Sequence, residues 1–136
     1  MSVEITYGII ILAAGNSSRL GEPKQLLPYQ NSSLLLHTID QALALPANVV
    51  MVVTGASKEI IEKELSGKKV HTHYNANWST GMGSSISSAV AGMMVLHPAL
   101  DALLITVCDQ PFLDAHILAS LVEEHIRTGK SIVAAR

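Results

Sequence analysis

Aromatic residues, charge and cysteine are all scarce in this chain, and each shortage excludes a class of protein. Aromatics make up 4% of the 136 residues against 49% hydrophobic, so the core has to be built from Ile, Leu, Val and Ala. Such a mixture suits parallel strands covered on both faces by helices. Charged residues are 15% of the chain, the net charge is −2 and the pI is near 6.3. That balance excludes a broad basic surface for DNA or RNA, and an anionic ligand would need a local site. The one cysteine, Cys108, cannot form an internal disulfide, which fits a reducing compartment. The opening residues carry no basic run, and their apolar stretch is far too short to span a bilayer. The expectation is a soluble, cytoplasmic protein with no membrane and no nucleic-acid partner. One domain is expected at this length, removing roughly 68% of its surface from water on folding.

No repeat, low-complexity tract or linker interrupts the chain. Four apolar runs rich in β-branched residues stand out: Gly8 to Leu12, Val49 to Val53, Ala102 to Val107, and the closing Ile132 to Ala134. They are short and continuous rather than alternating, as strands buried on both faces should be. Val70 to His73 reads as a further, more exposed strand. Helical spacing lies between these runs. Leu35, Ile39, Ala42 and Leu43 share a face after the cap candidates Ser32 and Ser33, and Ser57 can cap a helix through Ile60, Ile61 and Leu65. Ile86, Val90, Met93 and His97 form another stripe. Asp114 can open a helix through Ile117, Leu121, Val122 and Ile126 that Gly129 ends. Strand alternating with helix predicts right-handed βαβ units in a three-layer α/β fold. Ligands of such sheets bind beyond the carboxyl ends of the strands, which directs attention to the loops starting at Ala13, Thr54, Tyr74 and Cys108.

The first of these loops is the most informative. The strand running through Leu12 stops at Ala13, Ala14 and Gly15, whose small size lets a ligand approach the backbone. Asn16, Ser17 and Ser18 add turn chemistry, and exposed N–H groups in such a loop can cradle phosphate oxygens. Arg19 and Lys24 bring two cations toward the same anion, Arg suited to bidentate contact and Lys acting as a point charge. Taken alone, these residues also fit a solvated loop whose charges serve solubility. Neither a Walker A loop nor a G-x-G-x-x-G fingerprint is present. Thr54 and Gly55 stand where a dinucleotide-binding fold would put a ribose-binding acid, which disfavours that alternative.

Two later segments carry polar groups at the same edge. Gly81 and Gly83 permit an unusual turn before the Ile86 helix, and Ser84 and Ser85 can cap it or offer hydroxyls. Trp78 reads as a packing residue. Asp109 follows the strongest central strand. It can cap an ordinary Asp-x-Pro turn, or it can offer a hard carboxylate oxygen to Mg²⁺. Cys108 reads as a small buried residue. His71 and His73 share a strand face but lack further ligands for zinc, and His37, His97, His116 and His125 read as helix residues.

Assembled, the pattern A-A-G-x-S-x-R-x-G-x-P-K-x-L-L after a first strand resembles the signature of MobA-like nucleotidyltransferases. The N-x-x-W-x-x-G-M-x-x-S-I stretch and the C-D-Q-P turn resemble the branch that includes molybdenum cofactor cytidylyltransferase. The resemblance implies a Rossmann-like fold with a mostly parallel sheet that joins an NTP to a phosphorylated acceptor. Residue by residue, it implies that Leu12 to Ser18 contact the nucleotide, with Ala13 and Ala14 along the base and the backbone of Gly15, Asn16, Ser17 and Ser18 along the phosphates. Arg19 and Lys24 become the catalytic cations, Gly81, Met82 and Ser85 nucleoside contacts, and Asp109 the magnesium ligand.

The implied reaction is in-line attack by an acceptor phosphate on the α-phosphorus of the NTP, with release of pyrophosphate. CTP is favoured as donor, molybdopterin as acceptor, and a molybdoenzyme becomes a protein partner. Relatives continue past Ser131 to Ala134 into acceptor-binding residues and a second acidic metal ligand. The expectation is therefore a single nucleotide-binding domain over residues 1–136 that lacks its acceptor-binding part, a fragment that can itself be inactive. Transfer of GMP or of a sugar-phosphate nucleotide is the nearest alternative. A non-catalytic NTP-binding protein that assists molybdoenzyme maturation is the alternative of another class.

Overall fold

The computed structural model describes residues 6–13, 28–29, 32–56 and 58–107. Strand β1, Tyr7–Ala13, is buried along its whole length, as is β4, Val49–Thr54. Continuous Ile and Val runs fit these positions because each face of the strand meets its own helical layer. On one face, Ile9, Ile11, Val50 and Val52 pack with Leu35, Ile39 and Ala42 of helix α1, Leu34–Leu43, and with Ile61 of helix α2, Lys58–Glu64. On the other, Ile10, Leu12, Met51 and Val53 pack with Ala89 and Met93 of helix α3, Met82–Leu96. The result is the three-layer α/β arrangement anticipated from the sequence.

The sheet has four strands in the order β5-β4-β1-β6, where β5 is His71–Tyr74 and β6 is Ala102–Val107. Every pairing in it is parallel. The chain moves outward from β1 to β4 and β5, then α3 carries it back to the opposite side of β1. The direction of winding therefore reverses between β1 and β6. Open α/β sheets bind ligands outside the carboxyl ends of their strands at such a reversal. Among the described residues no helix is long and apolar enough to cross a membrane.

Several local expectations shift. Strand β5 lies one residue later than the sequence suggested, and most of it is exposed. Ser32 and Ser33, read as cap candidates, form the short strand β3, Ser32–Ser33, antiparallel to β2, Pro28–Tyr29, and Ser33 directly precedes α1. Leu43, the last residue of α1, is 38% exposed because it sits beyond the layer that covers Leu35, Ile39 and Ala42. Ile60 is 53% exposed, since a neighbour about 100° round the helix from buried Ile61 cannot face the same core. The proposed Ser57 cap, the Asp114 helix and the Ile132 strand lie outside the described residues.

The edge where the strands begin is closed by polar clasps. The Tyr7 N–H donates to Asn48 Oδ1 at 3.0 Å, and the Thr6 N–H and hydroxyl donate to Asp101 Oδ2 at 2.9 and 3.1 Å. Burial raises the Tyr7 hydroxyl above its ordinary pKa of 10.0. The opposite edge is organised differently.

Candidate functional site

At the edge where the strands end, Ala13 stands opposite Thr54, Thr54 opposite Tyr74, and Leu12 opposite Val107. The described ends of all four strands thus share one rim. Ala13, the last residue of β1, is fully buried there. Thr54 is also fully buried, and its Oγ1 has no hydrogen-bond partner among the described residues. A buried hydroxyl without a partner is uncommon in a folded protein and worth notice where ligands are expected.

Asn75 organises the turn between β5 and α3. The sequence reading quoted it only as part of a motif. It is 3% exposed, and its N–H donates to the Thr54 carbonyl at 2.8 Å, anchoring the exit of β5 to the rim. Asn75 Oδ1 accepts the Asn77 N–H at 3.0 Å, while Nδ2 donates to Ser84 Oγ and Ser85 Oγ, both at 3.0 Å. A 3₁₀ turn over Trp78–Thr80 follows, stabilised by the Thr80 hydroxyl donating to the Asn77 carbonyl at 2.7 Å. The chain enters α3 through Gly81 at φ 109° and ψ 177°. That conformation is essentially restricted to glycine, which gives the sequence-predicted Gly81 a backbone role. An asparagine directly after a strand, nine and ten residues ahead of a Ser-Ser pair at a helix start, was the available signal for Asn75.

Leu12 belongs to the apolar cluster against which Trp78 and Ile86 pack, so the end of β1 and the approach to α3 meet around one core. Trp78 is therefore a packing residue, as read from the sequence. Gly81 is exposed and Ser85 is 4% exposed, four residues apart on either side of the start of α3. Met82 is the first residue of that helix. The other candidates, Ala14, Gly15, Asn16, Ser17, Ser18, Arg19, Lys24 and Asp109, lie outside the described residues, as does Cys108.

Two further features touch this rim or its flank. Lys58 Nζ lies 5.7 Å from the centroid of the Tyr74 ring and pairs with Glu62 Oε2 at 3.1 Å, so its charge is already engaged within the protein. His73 Nε2 is 2.7 Å from Ser88 Oγ on α3. Among the described residues no three His, Cys, Asp or Glu side chains gather as a metal site.

Fold and rim together define an open parallel α/β protein whose strand order reverses between β1 and β6. The chain belongs to the MobA-like NTP transferase domain family, whose model matches residues 9–136. It is similar to the nicotine blue oxidoreductase of Paenarthrobacter nicotinovorans, 32% identical over 93% of this chain and 60% of that protein. It is also similar to the molybdenum cofactor cytidylyltransferase of Escherichia coli K12, 28% identical over 65% of this chain and 46% of that one. Among solved structures, a nucleotidyl transferase from Methanothermobacter thermautotroptrophicus superposes with a TM-score of 0.75 at 26% identity, covering 87% of this chain and 57% of that one. The chain thus spans 60% or less of the length of each of these relatives.

Proposed function

We propose that this chain is the nucleotide-binding part of a nucleotidyltransferase that moves CMP from CTP to a phosphorylated acceptor, molybdopterin being the favoured one. The observation that carries the reading is the reversal between parallel neighbours β1 and β6, whose described ends are in register at Leu12 and Val107. Gly15 and Asp109 each stand two residues further along the chain than Ala13 and Val107. Membership in the family and the likeness to a molybdenum cofactor cytidylyltransferase support the reaction class.

In this reading the backbone of Gly15 to Ser18 cradles the triphosphate, and Ala13 and Ala14 lie along the base. An acceptor phosphate oxygen forms a bond to the α-phosphorus as the bond from that phosphorus to the bridging oxygen of the β-phosphate breaks. The electron pair leaves with pyrophosphate. Arg19 and Lys24 neutralise the charge that develops on the α-phosphoryl oxygens and on the leaving group. Asp109 offers the hard carboxylate that Mg²⁺ takes together with phosphate oxygens and water. When bound there, the ion supplies Lewis-acid stabilisation of phosphate charge. Gly81, Met82 and Ser85 border the nucleoside.

A second reading comes from the relative named as an oxidoreductase at 32% identity. Thr54 and Gly55 after β4, in place of an acid for a ribose, weigh against a dinucleotide cofactor in this chain. The test is thermal stabilisation of the protein by each NTP with Mg²⁺, alongside NAD and NADP, followed by pyrophosphate release with molybdopterin. Stabilisation by CTP and CTP-dependent pyrophosphate release are expected. A response to GTP or UTP alone overturns the cytidine assignment, and a response only to a nicotinamide dinucleotide overturns the transferase reading.

A further inference from the structure

We propose that Asn75 is the positioning residue of the nucleoside-side turn, fixing the Ser85 hydroxyl as a hydrogen-bond donor to an oxygen of the bound nucleotide. The proposal rests on the nucleotide site proposed above and adds to it a residue that the sequence pattern did not single out. Its starting point is the orientation of the Asn75 amide. The Asn77 backbone N–H can only donate, and it meets Asn75 at 3.0 Å, so that side of the amide is the carbonyl oxygen. The NH₂ group therefore faces the two serines, and both of its hydrogens are used, at 3.0 Å to Ser84 Oγ and 3.0 Å to Ser85 Oγ.

Each hydroxyl thus accepts from Asn75 and keeps its own hydrogen to donate. For Ser84 that hydrogen has acceptors within the protein, since Oγ lies 2.9 Å from both the Asn77 and the Gly81 carbonyls. Ser84 is saturated and serves to hold the turn closed around Gly81. Ser85 is buried, at 4% exposure, and its hydrogen has no acceptor among the described residues. A buried donor left unmatched is unfavourable, and a ligand oxygen relieves it. The two adjacent serines consequently divide the work: Ser84 is structural, and Ser85 presents a donor whose direction Asn75 sets. Acceptor oxygens on a nucleoside are the base carbonyl and the ribose hydroxyls.

The test measures the Kd of the Mg²⁺ complexes of CTP, 2′-deoxyCTP and ATP, together with melting temperature, for the protein and its variants. Loss of one such hydrogen bond corresponds to about a tenfold weaker Kd. Ser85→Ala is expected to weaken CTP about tenfold, and also to lower the melting temperature because one Asn75 Nδ2 hydrogen loses its acceptor. Ser84→Ala is expected to lower the melting temperature and leave the CTP Kd within about twofold. Asn75→Asp keeps the acceptor for Asn77 but turns both hydroxyls inward, so it should weaken CTP as Ser85→Ala does. The double variant Asn75→Asp/Ser85→Ala should then lose nothing further.

A base-carbonyl contact leaves ATP binding insensitive to Ser85→Ala, whereas a 2′-hydroxyl contact leaves 2′-deoxyCTP insensitive; either supports the proposal. Ser85→Ala with an unchanged CTP Kd overturns it, as do additive losses in the double variant. If Asn75→Asp does not fold, the contrast between Ser84→Ala and Ser85→Ala decides. A parent protein that binds no nucleotide refutes the nucleotidyltransferase reading itself. A parent that binds CTP and is indifferent to Ser85 refutes this inference alone.

Discussion

Gly81 enters α3 at φ 109° and ψ 177°, and a Cβ placed on it would meet nothing within 4 Å. The requirement for glycine there is therefore one of backbone conformation alone. Gly81→Ala should cost about 1–3 kcal/mol, read from urea unfolding, and should loosen the Asn75–Ser84 bond that the turn supports. Lys24 makes the sharper functional prediction. If it stabilises the transferring phosphoryl group, Lys24→Ala should slow pyrophosphate release by about 10² to 10³, assayed with saturating CTP and acceptor. A change in the CTP KM alone would assign Lys24 to binding and not to the reaction. At this scale the sequence was eloquent about residue types and silent about partners. Gly81 announced itself as a glycine in a turn, but the bonds of Asn75 to the Thr54 carbonyl and to the Ser84 and Ser85 hydroxyls join groups whose proximity only the folded chain creates.

Among the elements, α3 depends on a small residue to reach the sheet edge. A Cβ on Gly92 would stand 2.8 Å from His73 Nδ1 and 2.9 Å from Cε1, so the helix packs directly on that ring. Gly92→Ala has to displace a side chain that also bonds Ser88 at 2.7 Å. The overpacking should outweigh the better helix propensity of alanine and destabilise by about 1–3 kcal/mol, measured by chemical denaturation. A stabilised variant would mean that His73 yields freely. The long buried elements were legible for a physical reason: β1, β4 and β6 are Ile/Val/Leu runs because helices cover both faces of the sheet. The pair β2 and β3 was not legible, since strands of two residues leave no periodic signature. Strand β5 was placed one residue early because an exposed edge strand has no buried face to fix its pattern.

At the scale of the whole molecule, the strand order β5-β4-β1-β6 turns a list of loops into a single edge with a reversal at its centre. Alternation of strand and helix predicted the layers, and the glycine-rich loop with Lys24 singled out the end of β1 as the candidate ligand edge. The order of strands was beyond reach, because it depends on α3 crossing the sheet to bring β6 beside β1. That crossing makes Leu12 and Val107 neighbours, although they are far apart in the chain, and it underlies the idea that Arg19, Lys24 and Asp109 serve one ligand. The most direct measurement is a crystal structure of the protein with CTP and Mg²⁺. The expected result has triphosphate oxygens on the Gly15 to Ser18 backbone and on Lys24, the metal on Asp109, and the nucleoside beside Gly81 and Ser85. A nucleotide bound away from the carboxyl ends of β1 and β6, or Lys24 and Asp109 too far apart to touch the same nucleotide, would contradict the account.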